Sequence, residues 1–133
     1  MNIYLDIDGT LIHKDGTPAE GLHEFLEYVL ANHICYWLTT HCRDGNPEYL
    51  YSYLRPKLPP DTLELTKSIL PTTWDVMKTE GINFTQDFRW FDDSPMNFEL
   101  LDLQKRGVLN RLVNVNLLDK KLQTYTETIN KLD

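Results

Sequence analysis

The stretch Asn2-Ile3-Tyr4-Leu5-Asp6-Ile7-Asp8-Gly9-Thr10 decides how the rest of the chain is read. A short, mostly apolar run leads straight into two carboxylates spaced two apart, the pattern of a buried strand that ends in a charged turn. In extended geometry Asp6 and Asp8 point the same way, and Gly9 lets the backbone bend sharply after them. Two later apolar runs end comparably. Residues 34–38 lead into Thr39-Thr40, and residues 88–91 lead into Asp92-Asp93-Ser94. In an open parallel sheet ligands bind outside the carboxyl ends of the strands, so these polar groups would meet in one crevice.

The segments between these runs read as helices. Leu22, Phe25, Leu26, Val29 and Leu30 recur at helical spacing within 19–33, with Pro18 placed as a first-turn proline. Residues 47–54 read as a short helix that stops before Pro56. Pro59-Pro60 marks a loop, followed by a short strand over 63–65. Residues 71–80 read as a helix stopped by Gly81, and 95–106 as a helix before Gly107. A last strand is expected over 112–115 and a last helix over 117–132. Strands alternating with helices predict parallel βαβ units: an α/β fold of about five strands in a three-layer α/β/α sandwich, one domain over 1–133.

Composition narrows the function. The 133 residues are 41% hydrophobic and 25% charged, enough apolar matter for a core. Thirteen Lys and Arg against twenty Asp and Glu leave a net charge of −7, which excludes a strongly basic nucleic-acid binder. Nucleic acid stays possible as a partner but is not favoured by that charge. A phosphorylated substrate stays open, because a divalent cation inverts the local field. No apolar run is long enough for a membrane helix, and Met1 enters a strand-like segment rather than a basic leader, so no membrane partner is expected. Cys35 and Cys42 form no CxxC pair, and a reducing, cytoplasmic setting is the expectation.

Asp6, Asp8, Asp92 and Asp93 in one crevice would repel one another strongly without a cation. An all-oxygen ligand set suits Mg²⁺, which takes one or two carboxylates, water and substrate phosphate. The Thr39 hydroxyl and an ammonium, from Lys78 or else Lys67, would complete a site for a phosphoryl group. Positioning and charge neutralisation do most of the work in phosphoryl transfer.

These motifs resemble those of the haloacid dehalogenase (HAD) superfamily of phosphotransferases. Asp6-Ile7-Asp8-Gly9-Thr10 is similar to its first motif, Trp37-Leu38-Thr39 to its second, and Phe91-Asp92-Asp93-Ser94-Pro95 to its fourth. The third is a lysine before the fourth, for which Lys78 stands at the spacing of small members. The resemblance covers residues 2–115 and implies a Rossmann-like sheet and an Mg²⁺-dependent phosphatase (a phosphoric monoester hydrolase). It implies that Asp6 is the nucleophile and Asp8 the general acid and base, with Thr39 and Lys78 on the transferring oxygens. It places Mg²⁺ on the Asp6 carboxylate, the Asp8 carbonyl and the acidic pair, with Asp92 or Asp93 as the direct ligand. Residues 11–38 and 41–77 are too short for a cap domain, so the chain resembles the capless class and its crevice is expected to be open. A HAD-fold binding module without turnover, or a polynucleotide or protein phosphatase, is the alternative.

Around the site, Gly9, Thr10, Thr40 and Arg43 are candidate substrate contacts, with Arg43 forking onto a phosphate or carboxylate. His41 reads as a substrate contact or an ordinary loop residue, and 11–17 as a flap. Tyr49, Tyr51 and Tyr53 cannot share one helical face; packing is favoured over base stacking for them.

Overall fold

The computed structural model describes residues 1–131. Four strands, β1 (Asn2–Leu5), β2 (Ile34–Trp37), β3 (Phe88–Asp92) and β4 (Leu112–Asn114), pair in parallel in the order β2-β1-β3-β4. The helices are α1 (Leu22–Asn32), α2 (Glu48–Leu54), α3 (Pro60–Thr66) and α4 (Asn97–Lys105). The fold is therefore α/β around a parallel sheet. Leu5 is in register with both Trp37 and Phe91, so the chain ends of β1 and β3 run out side by side.

Alternation along the strands divides the core in two. Ile3, Leu5, Cys35, Trp37 and Phe91 join Phe25, Leu26 and Val29 of α1 in one apolar cluster. Tyr4, Phe88 and Trp90 join Leu38, Ile82 and Leu103 in the other. Burial on both faces explains why the strands are short continuous apolar runs rather than alternating ones.

Five expectations are corrected. The sheet has four strands, not about five: the fifth is reduced to one parallel bridge between Tyr36 and Leu70, with Trp37 N–H donating to Leu70 O at 2.7 Å and Leu70 N–H to Cys35 O at 2.9 Å. Residues 63–65 lie in α3, because Pro60 occupies the first helical turn, where its missing N–H is not needed. Residues 71–80 are not a helix. Their hydrogen-bonding groups are engaged elsewhere: Trp74 N–H donates to Arg43 O at 2.9 Å and the Thr72 side-chain hydroxyl to Trp37 O at 2.6 Å. The Glu80 carboxylate takes the N–H groups of Asp75, Val76 and Met77, leaving a single 3₁₀ turn at Lys78–Gly81.

The last segment is a 3₁₀ helix over Leu122–Asn130 rather than an α-helix from 117, and Leu132 lies outside the described residues. Thr124, Thr126 and Thr128 each turn a hydroxyl back onto the carbonyl three residues earlier, at 2.6–2.8 Å, which favours the tighter winding. α1 also begins at Leu22, three residues later than expected. Pro18 bridges Ile12, and Ala19 N–H donates to Leu11 O at 2.9 Å, so both close the base of the 11–17 flap instead.

Phe25 is fully buried and meets Phe91 edge to face at 5.3 Å. Phe25→Ala should cost about 3–5 kcal/mol, the scale of a truncated core aromatic. Denaturant unfolding checks this, and a midpoint equal to that of the parent chain would contradict the packing described.

Candidate functional site

Asp6 follows β1 directly and Asp92 closes β3, so strand register alone brings the two carboxylates together. Lys78, at the start of the 3₁₀ turn, reaches both: Nζ lies 3.2 Å from Asp6 Oδ1 and 2.7 Å from Asp92 Oδ2. All three side chains are nearly withdrawn from solvent, at 11%, 1% and 12% exposure for Asp6, Asp92 and Lys78. Burial and the Asp92 charge push the Asp6 carboxyl up to about 7. For Lys78, burial acts to lower the ammonium's pKa, but the Asp6 and Asp92 charges outweigh it and the net shift is upward. Asp92 is fully occupied, with its other oxygen accepting Ser94 N–H at 2.9 Å.

Asp93 stands differently. Its nearest cation is the exposed Lys14 of the flap, at 3.8 Å. Burial, then the neighbouring Asp92 charge, raises its pKa. Its carboxylate packs onto Gly9, where φ is +78° and an added Cβ would fall 2.1 Å from Oδ2, so only glycine admits this approach. Asp6, Asp92 and Asp93 each offer an oxygen within 4.8 Å of the others. Hard oxygen donors of this kind fit a hard cation, and a cation would relieve the repulsion that raises the Asp6 and Asp93 carboxyls.

Asp8 does not join that group of three. Its carboxylate accepts the Tyr53 hydroxyl at 2.5 Å on Oδ1 and His41 Nε2 at 2.8 Å on Oδ2. Burial alone would raise this carboxyl, but the Tyr53 and His41 hydrogen bonds outweigh it and hold it below the usual range. Thr39 is buried two residues after β2, and its hydroxyl oxygen accepts His41 N–H at 3.2 Å, which leaves the hydroxyl proton available. Lys67 is exposed and pairs with Glu64 at 2.9 Å, so Lys78 is the lysine at the strand ends.

Of the other candidates, Thr10 is buried, with no partner for its hydroxyl among the described residues. Thr40 is exposed. Arg43 lies over the Trp74 ring at 4.5 Å and donates to Asp75 O, so its fork is engaged away from the carboxylates. A cleft of about 810 Å³ runs between the flap (His13, Lys14) and the segment 114–118, and reaches Gly9 and Asp93. The expected open crevice is thus open at Asp93 and at Asp8, whose side chain is 42% exposed, while Asp6 sits behind them.

Three residues of this arrangement escaped the sequence reading in these roles. Glu99 is buried, accepts Lys78 N–H at 2.6 Å and Met96 N–H at 2.8 Å, and so ties the lysine to the start of α4; its place three residues after Met96, in the first turn, is the available signal. His41 and Tyr53 on Asp8 had none, since their meeting depends on how α2 docks. Cys35 and Cys42 are buried, and burial raises both thiols, Cys35 to about 12. No protein-family model, curated protein or solved structure matches the chain. Among the described residues no helix is long and apolar enough to cross a membrane.

The Asp6 proton gives a stability test. A carboxyl raised from 3.8 to about 7 stabilises the fold below about pH 4, and that contribution is lost as pH rises through 7. In chelator, Asp6→Asn should therefore gain stability over the parent chain between pH 4.5 and 8. Thermal melts at the two pH values decide it; an unchanged difference would mean Asp6 is not held protonated by burial.

Proposed function

We propose that the chain is a Mg²⁺-dependent phosphatase of the HAD type, a capless three-layer α/β/α hydrolase working through an aspartyl-phosphate. The observation that carries this reading is the Lys78 ammonium set between Asp6 and Asp92, with Asp93 open beside them. That is a nucleophile, a fixed cation and a free hard ligand at adjoining strand ends.

In this reading the Asp8 carboxylate first takes the proton of the monoanionic phosphate ester; the Asp6 carboxylate then attacks phosphorus, the ester P–O bond breaks, and Asp8 gives that proton to the leaving oxygen. Asp8 then takes a proton from water as that water attacks the phosphorus of the aspartyl-phosphate. The P–O bond to Asp6 breaks, phosphate leaves with that proton and both carboxylates are restored. Lys78 and the free Thr39 proton hold the transferring oxygens. Asp6, the Asp8 carbonyl and Asp93 would hold the Mg²⁺, since both Asp92 oxygens are already bonded. The ion supplies charge neutralisation at the phosphoryl oxygens.

Hydrolysis of p-nitrophenyl phosphate should vanish in chelator and return with Mg²⁺. Asp6→Asn should abolish turnover and covalent labelling, whereas Asp8→Asn should retain a slowly hydrolysed label in rapid quench. Equal labelling of both variants would move the nucleophile elsewhere. Activity undiminished by chelator would remove the metal.

Lys78→Ala should lower kcat/KM by the equivalent of about 2–4 kcal/mol, the scale of one removed electrostatic donor. Lys67→Ala should leave it unchanged. The reverse result would displace Lys78 from its role.

A further inference from the structure

We infer that Tyr53 and His41 are positioning residues that fix the Asp8 carboxylate for proton transfer, an inference that rests on the phosphatase reading above. Asp8 lies on the turn after β1 and its side chain is substantially exposed, so without partners it would be free to turn among several rotamers. Instead each of its oxygens has one short donor. An ionised carboxylate only accepts, so His41 carries a proton on Nε2 and the Tyr53 hydroxyl points at Oδ1. Charge-assisted bonds of this kind are stronger than neutral ones.

The two donors are themselves held. Their rings stack at 4.0 Å with 20° between planes, so neither ring can swing independently of the other. Tyr53 rides on α2, which Leu50 and Leu54 anchor in the core, and Lys57 Nζ covers its other face at 3.8 Å while donating to Tyr53 O at 3.0 Å. His41 is fixed at its backbone, where its N–H donates to the Thr39 hydroxyl. Asp8 is thereby kept apart from the Asp6, Asp92 and Asp93 group, among which a fourth carboxylate would be repelled. It also shares a support with Thr39, so the proton-transfer group and the phosphoryl contact are set by one loop.

A positioning role predicts a defect confined to steps that use Asp8. Tyr53→Phe keeps the ring stack and removes only the hydroxyl, so the fold should be retained. With p-nitrophenyl phosphate it should lower kcat about tenfold, below the 10²–10⁴-fold scale of full general acid–base catalysis, with KM falling in step as dephosphorylation becomes limiting. Because p-nitrophenolate leaves without help, the variant should release it in a burst as the aspartyl-phosphate accumulates. His41→Ala should behave likewise, and His41→Gln, which restores a side-chain N–H near the Nε2 position, should recover part of the rate. In an Asp8→Asn background Tyr53→Phe should change the rate less than twofold, since nothing is left to position. A Tyr53→Phe effect that persists undiminished beside Asp8→Asn, or variants with the parent rate and no burst, would overturn the inference while leaving the phosphatase reading standing. A parent chain with no Mg²⁺-dependent turnover would overturn both.

Discussion

One ammonium organises this molecule. Parallel pairing of β1 with β3 in the observed register forces Asp6 and Asp92 together at the centre of the sheet, in a place almost closed to water. Two unit charges about 4 Å apart repel by roughly 4 kcal/mol at an effective dielectric near 20. Burial adds a desolvation penalty for each. Lys78 answers both, and the surrounding chain is arranged to deliver it. The 71–77 segment gives up helical hydrogen bonding to reach the spot, and the 3₁₀ turn starts there. Glu99 then pins the lysine's own N–H to the first turn of α4. Sheet, loop and helix are thus joined through one side chain and its backbone.

The parts of the fold legible in the sequence are those governed by burial and period. Each strand is a short apolar run because both faces are covered, and α1 is read from Leu22, Phe25, Leu26 and Val29 along one side. What the pattern could not convey is competition for backbone groups. Residues 71–80 are mostly weak helix formers, with three threonines, a valine and Pro71, and their hydrogen-bonding groups pair with 37–44 and with Glu80. The three threonines of the last segment divert carbonyls by side-chain bonding, which hydrophobic spacing does not register. Leu70 lies beside β2 for one bridge only, too little for a run of residues to announce.

The same division holds for the site. Asp6, Asp92 and Asp93 are legible because strand ends in a parallel sheet converge by geometry, whatever the rest of the chain does. Lys78 was open against Lys67, and only the path of the 71–77 segment separates them. Tyr53 meets Asp8 across 45 residues through the docking of α2, information carried by no local pattern. Arg43 illustrates the converse. Its type and place suit an anion, but the Trp74 face and the Asp75 carbonyl are nearer partners for a guanidinium.

Charge accounting links the site to a cation without appeal to likeness. Asp6, Asp92 and Asp93 bring three potential negative charges, and Lys78 cancels one of them. Lys14 lies at 3.8 Å from Asp93 on a side chain mostly in water, so it adds little. The remainder can be met by protons or by a metal ion. Two carboxyls lean toward protons: burial and the Asp92 charge push the Asp6 carboxyl to about 7 and the Asp93 carboxyl upward beside it. A divalent ion would compete for the same oxygens and displace the protons on binding. Gly9 leaves Asp93 room to lie against the β1 turn, at the edge of the flap cleft, where an ion and a phosphoryl group could share it. The burial that makes the bare cluster costly is therefore also what would favour a positive charge beside it.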